Sequence, residues 1–364
     1  MPLKTTAGNH GEAAKGRGAT INPEGRFETL ARAAVEDGWF QEPDEDASRP
    51  KTVIAIERAK SVISRHNSPD VGFSQSINPY RGCGHGCVYC FARPSHAYLG
   101  LSPGVDFETR LSAKTNAADV LREEIAKPGY RCEPLTIGVN TDAYQPIERE
   151  YRITRAILEL CHETGHPVSL ITKSALIERD IDLLAPMAKN NLVSATLSVT
   201  TLDHGISRYM EPRTSAPTRR LLAIKRLAEA GIPVNVNVAP VIPFLTDSEL
   251  EPIMEAAAKA GARSAGYVLV RLPWEVKDLF RAWLEERFPL KAAHVMSRIH
   301  EMRGGRDNDP NFGSRMTGQG LFAQLLAQRF DKARVRFGLN DETGFDLDCT
   351  RFRPPGRHGQ SSLF

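Results

Sequence analysis

The chain lacks a continuous apolar stretch long enough to span a bilayer, and its first residues lack the apolar run of a secretory signal. The expectation is a soluble, cytoplasmic protein with no membrane partner, whose thiols stay reduced and available as ligands. It also lacks an excess of either charge: 47 Lys and Arg face 44 Asp and Glu, so bulk electrostatics neither demands nor excludes a polyanionic partner. Cysteine is scarce, with six in 364 residues. That leaves too few for a second cluster domain of the kind used in multi-cluster peptide maturation or methylthio transfer. With 41% hydrophobic residues, the chain can bury one large core with appendages.

Three of those cysteines are concentrated in Arg81-Gly-Cys83-Gly-His-Gly-Cys87-Val-Tyr89-Cys90. A CxxxCxxC loop suits three irons of a [4Fe-4S] cluster and leaves the fourth iron open to a small molecule. The competing reading is a structural zinc knuckle, which would make the chain a zinc- or cluster-stabilised nucleic-acid-associated binding protein. Zinc needs a fourth ligand, and His85 between the cysteines is cramped, which leaves His96. Cys132, Cys161 and Cys349 have no metal-like spacing; Cys161 fits the buried face of a helix, and Cys349 stands in a polar context.

Residues 1–50 are poor in large apolar side chains and read as a largely flexible arm, with a short helix over 26–35 that docks Phe27, Leu30 and Trp39. From residue 74 strands alternate with amphipathic helices. Strands are expected at 76–80, 135–139, 168–172, 193–199, 234–238 and 266–270; helices at 116–127, 149–164, 177–190, 216–230, 247–260 and 275–287. Gly165-His-Pro167 and Gly231-Ile-Pro233 each stop a helix before the next strand. Such alternation demands parallel pairing, so 51–288 reads as an α/β partial (β/α)6 TIM-type barrel with its active face at the strand C-termini. Residues 289–364 read as an α-helical C-terminal extension with a flexible tail. Within it 303–310 is a loop, and the apolar spacing of 321–330 suits a helix covering the barrel's open side.

The cluster loop, Phe91-Ala-Arg-Pro-Ser-His96, Thr141-Asp-Ala-Tyr-Gln-Pro146 with Glu148, and Ile171-Thr-Lys-Ser174 together resemble radical S-adenosylmethionine (SAM) enzymes of the spore photoproduct lyase-related branch, over roughly residues 52–290. The resemblance implies that Cys83, Cys87 and Cys90 carry a [4Fe-4S] cluster whose free iron is chelated by SAM. It implies that Tyr89 contacts the adenine, that Thr141 and Asp142 meet the methionine end, and that Lys173 and Ser198 hold carboxylate or ribose. A sulfonium zwitterion needs a cation, an acceptor and hydroxyls of this kind. Further implications are reductive cleavage of SAM to a 5'-deoxyadenosyl radical, a reductant such as flavodoxin or ferredoxin, and a nucleic-acid substrate; a peptide- or cofactor-modifying radical enzyme is the rival. Singly, Asp142 also reads as a helix cap or turn residue, Lys173 as a solvated strand-end lysine, and His85, His96 and His166 as loop hydrogen-bonders. In the lyases a hydrogen-donating cysteine precedes the aspartate by three residues. Here Val139 stands there, so thymine-dimer repair is not expected. The terminal Gln360-Ser-Ser-Leu363-Phe364 resembles peptides that dock on the sliding clamp, with Gln360, Leu363 and Phe364 as the anchors.

Overall fold

The computed structural model describes residues 16–27, 50–341, 343 and 345–356. The helix expected over 26–35 and the clamp-like tail fall largely or wholly outside these residues.

The described strands are β1 (Val53–Ile56), β2 (Ser64–Arg65), β3 (Gln75–Ile77), β4 (Tyr80–Arg81), β5 (Arg110–Ala113), β6 (Leu135–Ile137), β7 (Val168–Thr172), β8 (Val193–Ser198), β9 (Val234–Val241) and β10 (Ser264–Leu269). The helices are α1 (Asp106–Thr109), α2 (Ala117–Ile125), α3 (Glu148–Tyr151), α4 (Ile153–Thr164), α5 (Ile181–Lys189), α6 (His204–Met210), α7 (Pro217–Glu229), α8 (Leu250–Lys259), α9 (Val276–Arg287), α10 (Pro289–Met302) and α11 (Gly320–Arg336). One sheet runs β10-β9-β8-β7-β6-β3-β2, parallel throughout except for the two-residue edge strand β2. Consecutive parallel neighbours joined through helices make the partial TIM-type barrel that the strand–helix alternation predicts. The small sheet β1-β5-β4 was not foreseen. Its strands are two to four residues long and β1 is mostly exposed, so the alternation of β5 is too short to stand out.

The period-two pattern decides which face is which. Val234, Val236 and Val238 of β9 turn outward into the buried layer shared with Ile224, Leu227 and Ile253, while Asn235 and Asn237 turn into the lumen. The lumen is lined by small polar side chains: Ser194 bonds Ser169 at 3.3 Å, and Asn235 bonds Thr196 at 3.4 Å and Ser264 at 2.8 Å. Small residues at the bottom leave free volume above them, at the strand C-termini. A second apolar cluster joins Cys87, Val88 and Tyr89 to Phe280, Trp283 and Ile299, so α9 and α10 support the cluster loop from beneath. Burying Trp283 there contributes about 2–3 kcal/mol.

Helix α11 lies along α8 and β10, tied by a bidentate pair from Arg329 to Glu251. The gap beside β10 is closed by residues 303–319, of which 303–310 were expected as loop. Met316 O accepts from Leu269 N at 2.9 Å, buried Arg303 donates to the carbonyls of Val270 at 2.8 Å and Arg315 at 2.9 Å, and Arg315 pairs with Asp70. Asp70 also accepts from Gly313 N at 2.6 Å. The strap therefore spans from the last parallel strand to the segment before the first.

Candidate active site

The cluster loop emerges from β4 and is held on every side. Gln145 donates to Gly82 O at 3.2 Å and accepts from Gly84 N at 2.8 Å; Val88 N donates to Met210 O at 3.1 Å. Glu148 accepts from Tyr80 Oη, from Thr154 N at 3.0 Å and from Arg179 at 2.8 Å. The Thr141-to-Glu148 segment thus acts as a brace under the strand and loop. Fully buried Arg93 donates to Cys87 O at 2.9 Å, to the carbonyls of Pro103 and Gly104, and to Glu108 at 2.5 Å. Glu108 in turn accepts from Gly18 N at 3.0 Å and Ala19 N at 2.8 Å. Part of the stretch expected to be a loose arm is therefore docked on the loop. Gly18 sits so close to the Gly86 carbonyl that a Cβ there would collide, and Gly86 itself adopts φ +71°.

Cys83, Cys87 and Cys90 share the wall of a cavity of about 270 Å³ at the C-terminal ends of the strands, with Tyr89, Asp142, Lys173 and Ser198. Burial pushes the Cys87 thiol well up and the Cys90 thiol to about 11, with Lys173 pulling both down and Arg93 also lowering Cys90. Among the described residues no group of three His, Cys, Asp or Glu side chains could hold a metal ion. His96, the candidate fourth zinc ligand, turns away: its Nε2 meets Arg110 O at 2.9 Å and its ring lies against Phe107. Two buried thiols and half-buried Cys90 around one cavity, with no fourth ligand supplied by His96, fit a larger inorganic core ligated at its corners.

Beneath the cavity lies a buried charge network. Glu211 accepts from Tyr89 Oη, Arg220 and Thr200 Oγ1, the last at 2.7 Å, and Lys173 Nζ stands 3.4 Å away. Burial alone would raise the Glu211 carboxyl, but Arg220 and Lys173 hold it down at about 2. Lys173 Nζ also donates to Ala239 O at 2.8 Å and lies 5.7 Å from the Tyr89 ring centre. Asp142 accepts from Thr172 Oγ1 at 2.7 Å, Lys173 N at 2.8 Å and Tyr144 N at 2.8 Å; His85 Nδ1 is 3.3 Å from it. Burial would lower His85, yet Asp142 and Cys83 raise it to about 10.

Of the residues singled out in the sequence, the three cysteines, Tyr89, Asp142, Lys173 and Ser198 converge on the cavity, and Val139 forms part of its wall. Thr141 does not line it; its hydroxyl donates to Tyr80 O at 2.9 Å. His166 stands just before β7, at the other end of that strand from the cavity-lining Ile171, Thr172 and Lys173, bonded to Pro167 O and Tyr130 Oη. Sequence reading missed Glu211, Arg220 and Glu108, which have no motif, and gave no role to Arg93 within Phe91-Ala-Arg-Pro-Ser-His96; all four acquire meaning only when folding buries them. It also missed Asn237 and Arg271 on the cavity wall; the Val-Asn-Val-Asn-Val alternation carried a signal for the former.

A family model described as the radical SAM superfamily matches residues 77–257. The chain is 38% identical over 246 residues to an uncharacterized protein of Mycobacterium tuberculosis (strain ATCC 25618 / H37Rv), covering 67% of this chain and 71% of the relative. It is 29% identical over 199 residues to an uncharacterized protein of Methanocaldococcus jannaschii, covering 55% and 71%. Among solved structures, spore photoproduct lyase complexed with dinucleoside spore photoproduct is similar with a TM-score of 0.54 at 16% identity, over 78% of this chain and 79% of that one. A mutant of that lyase with bound AdoMet and dinucleoside spore photoproduct gives 0.54 at 17%, over 79% of each. At such identity the likeness establishes a common fold.

Proposed function

This chain belongs to the radical SAM superfamily, and we propose that it directs SAM-dependent radical chemistry at a nucleic-acid substrate held over the cavity mouth. The observation that carries this reading is the joint lining of one braced cavity by Cys83, Cys87, Cys90, Tyr89, Lys173 and Ser198. The [4Fe-4S] cluster and SAM used by this superfamily supply, when bound, a 5'-deoxyadenosyl radical that removes hydrogen from the substrate.

In this reading the three cysteines hold the cluster, and the backbone pinned by Gln145, Arg93 and Met210 fixes their spacing. The Tyr89 ring and Ser198 hydroxyl receive the nucleoside part of SAM. Lys173 supplies positive potential toward its carboxylate, while Glu211 fixes the ammonium's position rather than leaving it free in solvent. Asp142 orients His85 and the β7 rim more than it reaches outward. The apolar walls formed by Ile171, Val139 and Leu269, and the strap across the barrel's open side, keep water from a reactive carbon centre.

Among the described residues, the cavity wall contains no cysteine beyond the proposed ligands, and Val139 offers no weak X–H bond. The proposed reaction is therefore a hydrogen abstraction other than thymine-dimer repair. Radical SAM enzymes need a reductant, and we assign that role to a flavodoxin or ferredoxin in a reducing cytosol. For Gln360, Leu363 and Phe364, clamp docking rests on the sequence alone; removing the last five residues should abolish clamp binding in surface plasmon resonance.

Anaerobic reconstitution tests the whole reading. Iron and labile sulfide should incorporate in equal amounts, and 5'-deoxyadenosine should form with dithionite and rise on adding single-stranded DNA or RNA. Stimulation by peptides in place of nucleic acid would redirect the substrate assignment, and absence of 5'-deoxyadenosine under all conditions would overturn the function.

A further inference from the structure

One cavity-wall cation is treated differently from all the buried charges below it. Arg271, just beyond β10, has a buried Nε with no hydrogen-bond partner, and its Nη1 reaches only Met316 Sδ at 3.8 Å. A guanidinium carries five N–H donors, and leaving the buried Nε donor without an oxygen acceptor in a largely apolar wall is costly. Its neighbour Arg315 is paired with Asp70, which leaves that carboxylate committed elsewhere. Burial and the nearby Arg315 lower the Arg271 guanidinium, with Asp70 opposing. The guanidinium lies 5.4 Å from the ring centre of Phe91, the residue after the last cluster cysteine, and Phe73 shares the same wall.

Three residues on, Trp274 is 66% exposed in a left-handed backbone conformation, φ +52°, which a bulky residue adopts only when its surroundings impose it. Arg26, held by Glu275 at 3.2 Å, lies 4.5 Å from the centre of the indole and supports it. An oxyanion-seeking guanidinium beside aromatic rings, followed three residues on by a propped and open indole, has the chemistry of a nucleotide track. Planar N–H forks suit phosphate, and an aromatic face accepts any base.

We propose that Arg271 takes a backbone phosphate of a single-stranded nucleic-acid substrate at the cavity mouth, while Trp274 stacks on a neighbouring base. This deepens the function proposed above and rests on it for the identity of the cavity.

The test uses the reconstituted full chain, fluorescein-labelled oligothymidylate and anisotropy titrations across a series of salt concentrations. Arg271→Met should weaken binding about tenfold or more and lower the log–log salt slope by about 0.7, the share of one phosphate on a single strand. Arg271→Lys should weaken binding less and keep the slope, because the charge stays while the fork is lost. Trp274→Ala should cost about fivefold to a hundredfold with the slope unchanged. SAM affinity should be equal in all four proteins, and ligand-free Arg271→Met should melt no lower than the parent, since it removes an unpaired charge. A salt slope unaltered by Arg271→Met overturns the proposal. So does a parallel loss of SAM affinity, which would give Arg271 to the cofactor, and so does a lower melting temperature, which would make it structural. Failure of 5'-deoxyadenosine formation with these binding results intact would instead remove the function reading.

Discussion

The floor and the mouth of the cavity handle buried charge in opposite ways. Below the cluster loop, Arg93 faces Glu108 and Arg220 faces Glu211, with each member further satisfied by carbonyls, hydroxyls or amides. At the mouth, half-buried Arg271 has a thioether and the Phe91 ring, and its buried Nε has no hydrogen-bond partner. Buried ions without partners are strongly unfavourable, so pairing is the rule where geometry must stay fixed, and an unpaired cation marks a place that a ligand completes. On the function proposed above, the difference means that the floor holds three sulfurs still and the mouth receives something charged.

The contrast breaks first at Glu211. Glu211→Gln would leave Arg220 buried without its counter-ion, and urea denaturation should show a loss of about 3–5 kcal/mol together with reduced iron uptake. A loss under about 1 kcal/mol would mean the floor charges are not coupled as the distances imply. Arg93→Met should destabilise comparably by stranding Glu108, and the double variant with Glu108→Leu should regain a good part of that loss in the same assay. If the double variant is no better than the single one, the carbonyl contacts of Arg93 outweigh its ion pair.

A buried group away from the site sharpens the comparison through pH. Burial lowers His166 to about 4, with its bond to Pro167 O opposing. Because its folded value lies below the unfolded one, the unfolded chain binds the proton more readily. The stability His166 provides as a neutral ring is thus full above about pH 6.5 and falls away between there and pH 4. The span corresponds to roughly 3 kcal/mol, and His166→Gln should flatten thermal melts over that window. An unchanged pH profile in the variant would assign the acid sensitivity to other groups. The smallest expected effect is that of Val139→Cys, a near-isosteric change on the cavity wall that should shift stability by less than about 1.5 kcal/mol. It asks whether a thiol placed there changes the outcome of the radical reaction, read as deuterium exchange into product.

Much of this was legible beforehand. Helix ends at Gly165 and Gly231 fell where the glycines adopt positive φ, and the Val-Asn alternation of β9 is the outward and lumen faces of one strand. Less legible were β1, β4 and β5, two to four residues each and too short to leave a periodic trace. The strap over 303–319, of which 303–310 read as loop, left little trace because much of its order comes from Arg303 and Arg315 bonding to partners far along the chain. Within the site, Asp142 and Lys173 were foreseen at the rim, but their commitment to Thr172 and Lys173 N, and to Ala239 O and Glu211, needed the packed structure.

The sequence by itself determined the spacing of the three clustered cysteines and the repeating strand–helix frame, because cysteine spacing and apolar periodicity are local properties of the chain. Only the tertiary structure decided which charges are neutralised and which are left waiting. A side chain's electrostatic state depends on what folding brings within a few ångströms of it and on how much water is excluded there.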